Sequence, residues 1–398
     1  MNTLGIYIQI PFCGSKCSFC NFSSQVARDD VIGRYCQALE REIAEWDGFA
    51  RSAGLGSEAL HLPVDTVYVG GGTPPILGVQ RMGRIVVKLR ERFDLEALSE
   101  FTLEVTPASV DEDFLSEARS WGVNRLSIGA QSFSERELRA VGRLHSAADT
   151  HETVAGVRRA GFRNISLDLI AGLPGQTQSS WQESLRAVER LRPEHVSIYI
   201  FEVDDKSRLG REVLRHGERY HATDVPDENF MADAYEYARG FLRGAGYHQY
   251  EISNFALPGF ESRHNQKYWR LEPYLGLGAG AHSFDGEQRW ANASTPEAYA
   301  QKLARGEASV AEIRRLTIQE QVEEFFFLGL RQAEGVDLSE ARRRWGEPAL
   351  ARWKSVIGQL AERGLLVREN DRVRLADHAL LVSNEIFQEF LVTEMEAQ

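Results

Sequence analysis

Three cysteines near the amino terminus are the residues of this 398-residue chain with the clearest capacity for chemistry. Cys13, Cys17 and Cys20 follow a C-x3-C-x2-C spacing that fits inside one tight loop. Three thiolates from such a loop can hold three irons of a [4Fe–4S] cube and leave the fourth iron without a protein ligand. Zinc would require a fourth Cys or His in a second paired unit. A disulfide within the loop would leave one thiol over, so the spacing favours a cluster.

The elements that must position this loop can be read from the hydrophobic pattern. Residues 5–10 are apolar and β-branched, which is typical of a buried parallel strand. Five more strand-like runs follow, with helical patterns preceding them, at 65–69, 98–105, 125–130, 165–170 and 195–201. Strands that alternate with helices predict βα units on a parallel sheet. We therefore expect an α/β fold, an incomplete (β/α)6 TIM-like barrel whose ligands bind at the carboxyl ends of the strands.

The pattern changes beyond residue 220, which suggests a division of the chain into three parts. These are a partial barrel at 1–220, an extension of the barrel at 221–315 and a C-terminal domain at 316–398. The last part reads as helices and a short hairpin with Asn370 and Asp371 at its turn, which predicts a winged-helix-like α+β module. It shows no concentrated basic face, so a lid or docking role is favoured over DNA binding.

Composition narrows the class of protein. A hydrophobic content of 43% and a charged content of 26% are ordinary for a soluble globular protein. The net charge of −12 argues against nucleic acid or anionic lipid as the main partner. No signal-sequence pattern or membrane-spanning apolar run is seen, which predicts a cytoplasmic protein, in peripheral contact with a membrane at most. The fourth cysteine, Cys36, falls in a helical pattern and is expected to be a small core residue.

The cysteine loop after a first strand resembles the signature of the radical S-adenosylmethionine (SAM) enzymes. The flanking Tyr7-Ile-Gln-Ile-Pro-Phe-Cys13 is similar to the branch that contains oxygen-independent coproporphyrinogen III oxidase (HemN) and the haem chaperones called HemW. The resemblance implies that the amine and carboxylate of SAM chelate the open iron. It also implies that an electron donor reduces the cluster, whose electron then breaks the S–C5′ bond to give a 5′-deoxyadenosyl radical.

The same resemblance implies a set of residues that contact SAM. Glycines after a strand let the backbone approach a ligand, although Gly70-Gly-Gly-Thr-Pro74 could equally be a plain turn. Phe19 could be core, and Asp168 could be buried by pairing with Arg143. The implied SAM-binding residues are Tyr7, Phe19, Gly71, Gly72, Thr73, Glu104, Gln131, Arg143 and Asp168.

A hexapeptide and one substitution separate the two branches. His264-Asn-Gln-Lys-Tyr-Trp269 matches the H-N-x-x-Y-W motif associated with haem binding in HemW. A neutral imidazole can ligate haem iron, and Tyr268 and Trp269 offer flat apolar faces to a porphyrin. The alternative is a purely structural histidine, and His282 is a second candidate that could instead contact SAM or substrate. Phe22 stands where the oxidase has a further cysteine, and few residues precede the first strand where the oxidase has an extension.

The resemblance therefore implies a protein that binds a [4Fe–4S] cluster, SAM and haem. It would deliver haem to apo-haemoproteins, with membrane-bound respiratory enzymes among the candidates. The competing hypothesis is radical chemistry on a substrate, either porphyrinogen decarboxylation or the methyl transfer and cyclopropanation of related proteins that use two SAM molecules. If the chaperone hypothesis holds, no coproporphyrinogen oxidase activity is expected.

Overall fold

The computed structural model describes residues 3–391. Its strands are β1 (Leu4–Ile10), β2 (Val64–Gly71), β3 (Glu100–Val105), β4 (Arg125–Gln131), β5 (Ile165–Ala171), β6 (His195–Ile200), β7 (His248–Gln249), β8 (Asn254–Ala256), β9 (Tyr274–Leu277), β10 (His282–Phe284), β11 (Gln288–Asn292), β12 (Val310–Arg315), β13 (Val336–Asp337), β14 (Leu366–Glu369) and β15 (Arg372–Leu375).

The helices connect and cover these strands. They are α1 (Asp29–Ala44), α2 (Trp46–Ser52), α3 (Gly78–Arg92), α4 (Glu112–Ser120), α5 (Glu135–Ala140), α6 (Ala147–Arg159), α7 (Gln178–Leu191), α8 (Arg208–Leu214), α9 (Glu228–Gly244), α10 (Arg263–Trp269), α11 (Pro296–Ala304), α12 (Ile318–Gly329), α13 (Leu338–Trp345), α14 (Glu347–Glu362) and α15 (Ser383–Gln388). Within residues 3–391, no helix combines the length and the apolar character needed to cross a membrane.

One twelve-stranded sheet organises the molecule, in the order β12-β11-β10-β9-β1-β2-β3-β4-β5-β6-β8-β7. Strands β1 to β6 pair in parallel with their neighbours in chain order, which confirms the six predicted βα units. Strand β9 adds in parallel to β1, and β10 to β12 continue antiparallel from it. Strands β8 and β7 extend the other edge antiparallel to β6. The two edges do not pair with each other in the described part of the chain, so the barrel is incomplete.

The two faces of the parallel strands differ in character. On β1, Ile6, Ile8 and Ile10 are fully buried in the main apolar core, whereas the side chains of Tyr7 and Gln9 are hydrogen-bonded to each other at 2.7 Å. Successive side chains of a strand point to opposite faces, so the interior face of the barrel carries the polar residues. Ligands can therefore be held by polar side chains that the strands themselves fix in place.

A buried carboxylate ties the first helix to the barrel extension. Glu42 on α1 accepts hydrogen bonds from the backbone of Gly278 at 2.8 Å, from Asn292 Nδ2 at 2.9 Å, from the Tyr299 hydroxyl at 2.6 Å and from Ser309 Oγ. Burial raises the pKa of Glu42, and these four donors oppose that effect. A buried charge is tolerated only when it is hydrogen-bonded in this way, so α1 and the extension pack as one body.

The C-terminal part has its own small sheet, and its apolar core is continuous with residues of the barrel extension such as Tyr274 and Phe284. Strands β13, β15 and β14 form an antiparallel sheet, and the β14–β15 hairpin turns at Asn370, whose φ of 57° is left-handed. Phe326, Trp353 and Phe390 pack together within this cluster, to which helices α12, α13, α14 and α15 and all three strands contribute. The predicted hairpin with Asn370 at its turn is confirmed.

Candidate cluster and cofactor site

The cysteine loop runs from the end of β1 to the start of α1, at the carboxyl edge of the parallel strands. The Cys13 N–H donates to the Gln25 carbonyl at 3.0 Å, and the Gln25 N–H donates to the Pro11 carbonyl at 2.9 Å. The Lys16 ammonium donates to the Ser24 carbonyl at 2.8 Å. These bonds close the loop at its base and fold it back on itself.

The three thiols of the loop are free and half-buried. Burial raises the pKa of Cys20, and the neighbouring thiols of Cys17 and Cys13 raise it further. Among residues 3–391, no three ligand side chains converge on a point that one metal ion could occupy. A [4Fe–4S] cube instead distributes three thiolates over three separate irons. The donor set therefore fits the cube better than a single metal ion.

The glycine turn after β2 lies directly against the cysteine loop. The Gly72 N–H donates to the Ile10 carbonyl at 2.8 Å, and the Thr73 N–H donates to the Phe12 carbonyl at 2.7 Å. A Cβ atom on Gly72 would lie 2.3 Å from the Phe12 carbonyl oxygen, and Gly71 has a φ of 103°. Only glycine allows this close approach, so the turn fixes the start of the loop as well as offering backbone to a ligand.

A second segment, residues 141–143, supports the loop from the β4 side. The Ser18 N–H donates to the Val141 carbonyl at 3.0 Å, and Ser15 Oγ donates to the Gly142 carbonyl at 3.3 Å. Arg143 reaches Cys17 Sγ with Nη1 at 3.6 Å and donates from Nη2 to the Gly129 carbonyl at 2.5 Å. The guanidinium predicted to bind SAM therefore also contacts a predicted cluster ligand.

Glu104, near the end of β3, is held by two donors. The Tyr68 hydroxyl donates to Oε1 at 2.7 Å, and the Gly71 N–H donates to Oε2 at 2.9 Å. Burial raises the pKa of Glu104, and these two hydrogen bonds partly offset the rise. The carboxylate is thus fixed beside the glycine turn, at the position where a contact with SAM is predicted.

Asp168, in the middle of β5, is surrounded by hydroxyl groups. Ser127 Oγ and Ser166 Oγ each lie 3.4 Å from its carboxylate, and Ser197 also bonds to it. Burial raises the pKa of Asp168 while these hydroxyls oppose the rise. The pairing with Arg143 considered from the sequence is not formed, because Arg143 is turned toward Cys17 and Gly129.

Three further predicted SAM residues border this region. Gln131, at the end of β4, has a left-handed backbone with a φ of 69°, and such strain in a non-glycine residue clusters at functional sites. The Tyr7 ring stacks on Tyr68 with ring centroids 5.9 Å apart. Phe19 packs against a small apolar cluster that includes Val141 and Leu209, as the core alternative predicted.

The H-N-x-x-Y-W hexapeptide forms α10, which lies at the amino ends of the strands. Glu100, the first residue of β3, accepts from the backbone N–H groups of Arg263 and His264 at 2.9 and 3.0 Å. The cysteine loop follows the carboxyl end of β1, so the two motifs lie at opposite ends of the barrel.

Both ring nitrogens of His264 are engaged inside the protein. Nδ1 lies 2.9 Å from Thr66 Oγ1, Nε2 lies 2.8 Å from the Tyr268 hydroxyl, and the side chain is fully buried. Tyr268 packs edge-on against Tyr274, and Trp269 contacts Tyr250. An iron could reach His264 only by displacing one of these partners, so the geometry favours the structural alternative.

Burial also lowers the pKa of His264, to about 3, and the positive charge of Lys267 acts in the same direction. Between pH 6.5 and pH 3 this histidine is protonated in the unfolded chain but stays neutral in the folded protein. The free energy of unfolding is therefore highest above about pH 6.5 and falls as the pH is lowered toward 3. We expect this residue to lower the free energy of unfolding by about 2 kcal/mol between pH 7 and pH 5. Urea denaturation of the wild type and of His264→Gln, which does not titrate, measures it. Equal pH slopes in the two proteins would contradict the assignment.

The second predicted histidine has a different environment. His282 opens β10 and is exposed, opposite Gly276 on β9, whose neighbour on β1 is Tyr7. No hydrogen bond to its ring is found within residues 3–391. The structure therefore separates the two candidates: His264 is enclosed and His282 is accessible.

Several interior residues were missed from the sequence. Tyr68 holds Glu104, and the buried Arg125 on β4 carries a charge that lowers the pKa of both Glu104 and Asp168 against the effect of burial. The sequence pattern that could have identified these interior residues is a polar residue at every second position of the strands. The pairs that show it are Thr66 and Tyr68, Thr102 and Glu104, Arg125 and Ser127, Ser166 and Asp168, and His195 and Ser197.

The chain is similar to known protein families, to curated relatives and to a solved structure. The Radical SAM superfamily model matches residues 7–188, and the HemN C-terminal domain model matches residues 316–382. The protein named Heme chaperone HemW from Bacillus subtilis is 34% identical over 386 residues, which cover 97% of this chain and 98% of that protein. The protein of the same name from Lactococcus lactis is 32% identical over 389 residues, which cover 98% of this chain and 97% of that protein. The structure of Escherichia coli coproporphyrinogen III oxidase (HemN) matches with a TM-score of 0.84 at 25% identity, covering 98% of this chain and 90% of that one.

The partial barrel, the cysteine loop and the matched domain define a radical SAM protein, a class that holds a [4Fe–4S] cluster and SAM. Within that class, the family is shown by the two HemW relatives, each of which aligns over almost the whole length of this chain. The chain belongs to the HemW family.

Proposed function

We propose that this protein binds haem and delivers it to apo-haemoproteins, while its partial barrel holds a [4Fe–4S] cluster and SAM. The observation that carries the proposal is the similarity to proteins named Heme chaperone HemW over 97% or more of this chain. The proposed recipients include membrane-bound respiratory enzymes, and a cytoplasmic electron donor is proposed to reduce the cluster.

The proposed cluster ligands are Cys13, Cys17 and Cys20, and the cluster would supply single electrons to bound SAM. The chain's own contribution is to hold polar groups rigid around that position. Glu104 is fixed through both carboxylate oxygens, and Arg143 is fixed by the Gly129 carbonyl. Such preorganisation lets a ligand bind without reordering the side chains that receive it.

A second candidate function is radical chemistry on a tetrapyrrole. The observation that favours it is the TM-score of 0.84 with E. coli coproporphyrinogen III oxidase. Against it stands Phe22, a residue that is 66% exposed beside the cysteine loop, where the resembled oxidase carries a further cysteine.

Two assays on one anaerobically reconstituted preparation separate the candidates. Haem titration followed by transfer to apomyoglobin should give a saturable Soret band that moves to the acceptor, and free haem serves as the transfer control. Incubation with dithionite, SAM and coproporphyrinogen III should yield no protoporphyrinogen IX beyond background. Accumulation of that product over many turnovers, without haem binding, would reverse the choice between chaperone and oxidase.

A further inference from the structure

Arg125, the first residue of β4, is a buried positive charge in the interior of the partial barrel. It is 2% exposed, and its Nε has no hydrogen-bond partner among residues 3–391. No carboxylate in that range forms an ion pair with its guanidinium. Buried charges are normally paired, so the charge of this side chain is expected to serve groups that it affects without touching them.

The sheet places Arg125 between two strands that carry carboxylates predicted to bind SAM. Strand β4 pairs with β3, which carries Glu104, and with β5, which carries Asp168. Arg125 lies opposite Thr102, which shares one face of β3 with Glu104 because the two are two residues apart. Ser127, on the same face of β4 as Arg125, lies 3.4 Å from the Asp168 carboxylate. The guanidinium and the two carboxylates therefore face the same interior.

A third carboxylate near Arg125 is already stabilised by other groups. Glu100, the first residue of β3, accepts hydrogen bonds from two backbone N–H groups at the start of α10, at 2.9 and 3.0 Å. Burial opposes the charge of Arg125, but nearby groups, Glu100 foremost, raise its pKa overall. Arg125 therefore stays protonated, and its charge remains available to Glu104 and Asp168.

Two carboxylates enclosed in one space repel each other, and enclosure favours their protonated forms. Burial raises the pKa of both Glu104 and Asp168, and the charge of Asp168 raises that of Glu104 further. The charge of Arg125 acts in the opposite direction on both, whereas Arg143 is directed at Cys17. The phenols and imidazoles that also face this interior are kept uncharged by burial, which raises the pKa of Tyr7, Tyr68, Tyr199, Tyr250 and Tyr268 and lowers that of His195 and His264.

We infer that Arg125 is a positioning residue that keeps Glu104 and Asp168 ionised, as the pair that receives the positively charged SAM. The inference rests on the proposed function, in which the barrel holds SAM. SAM carries a permanent sulfonium charge, and an interior with three carboxylates and one guanidinium is negative overall and attracts it. A protonated carboxyl would lose this attraction and would turn one of its acceptors into a donor. Arg125 acts through the two carboxylates and needs no contact with SAM.

The test is calorimetric titration of SAM into the unreduced, cluster-loaded protein between about pH 6 and pH 9. Arg125→Gln should weaken SAM binding about tenfold at pH 7, because loss of the cation leaves the two carboxylates more easily protonated. The loss should shrink to less than about threefold at pH 9, as the carboxylates ionise without the cation. Division by the wild-type affinity at each pH removes the titration of the amine of SAM itself.

Two further variants separate charge from structure. Arg125→Lys keeps the positive charge and should bind SAM within about threefold of wild type at every pH. Arg239→Gln is the matched control, because Arg239 is also buried, at 6% exposure, but lies on α9 and pairs with Glu236. It should leave the pH dependence of SAM binding unchanged. Thermal denaturation and iron content show whether each variant folds and holds its cluster.

Infrared spectroscopy of the SAM-free protein measures the carboxyl groups directly. The carbonyl stretch of protonated carboxyls should be stronger in Arg125→Gln than in wild type at pH 7. Substitution of both Glu104→Gln and Asp168→Asn should remove that difference.

Three outcomes would contradict the inference. Equal losses of SAM affinity at every pH, in Arg125→Lys as in Arg125→Gln, would show a purely structural role. Wild-type affinity together with an unchanged carboxyl band in Arg125→Gln would show that the charge has no effect on its neighbours. Both results would overturn the inference alone, whereas wild-type protein that holds the cluster but binds no SAM would overturn the proposed role of the barrel and the inference with it.

Discussion

Cys17→Ala is expected to abolish stable assembly of the [4Fe–4S] cluster. In the proposed site the loop would offer one thiolate to each of three irons, so a cube that loses Cys17 would have a second iron without a protein ligand. Arg143 also loses the sulfur that it contacts at 3.6 Å. Anaerobically reconstituted wild type should hold about four irons per chain, and the variant close to none. Iron analysis, the visible absorption band and the EPR signal after reduction check this, and Cys13→Ala and Cys20→Ala should behave alike.

Cys36→Ala is the matched control. Cys36 is fully buried on α1, and burial raises the pKa of its thiol to about 11, so it remains a protonated core residue. Its loss should cost about 1 kcal/mol of stability through a small cavity while iron content stays at the wild-type level. A Cys17→Ala protein that still holds four irons with an unchanged EPR signal would show that the loop is not the cluster site.

The barrel could be predicted because its signals are local. Each parallel strand is a short apolar run, and each lies between helical patterns, so β1 to β6 follow from the order of elements alone. The hairpin at Asn370 was equally readable, because asparagine tolerates the left-handed backbone that its turn requires. For both the strands and the hairpin, the residues whose pattern predicts the element are the same residues that form it.

The roles of single polar residues could not be read in the same way, because their partners are distant in sequence. Nothing near His264 reveals that Thr66 takes one of its ring nitrogens, 198 positions earlier in the chain. The pairing of Asp168 with Arg143 seemed reasonable on charge, but three strand hydroxyls surround the carboxylate instead. A motif gives the residue types, whereas the register of neighbouring strands decides which nitrogen or oxygen remains available to a ligand.

Gly72→Ala is expected to disrupt the cluster and SAM site together although it removes no ligand. A Cβ atom there would lie 2.3 Å from the Phe12 carbonyl oxygen and 2.8 Å from that of Ile10. These are the two carbonyls that accept the N–H groups of Thr73 and Gly72. Relief of the clash must separate the turn from the loop, which breaks those bonds at a cost of about 3 kcal/mol in total. Thermal denaturation, iron content after reconstitution and SAM affinity by calorimetry should all fall.

Gly14→Ala distinguishes this steric effect from a general sensitivity of glycines near the cluster. Gly14 lies between Cys13 and Ser15 in the loop, is exposed, and has no neighbouring atom within 4 Å of an added Cβ. Its substitution should change stability by less than about 0.5 kcal/mol and leave iron content and SAM affinity unaltered. If both variants lose the cluster equally, flexibility of the loop is the requirement. If only Gly72→Ala loses it, the requirement is contact between the β2 turn and the start of the loop, through which the second strand positions the cysteines carried by the first.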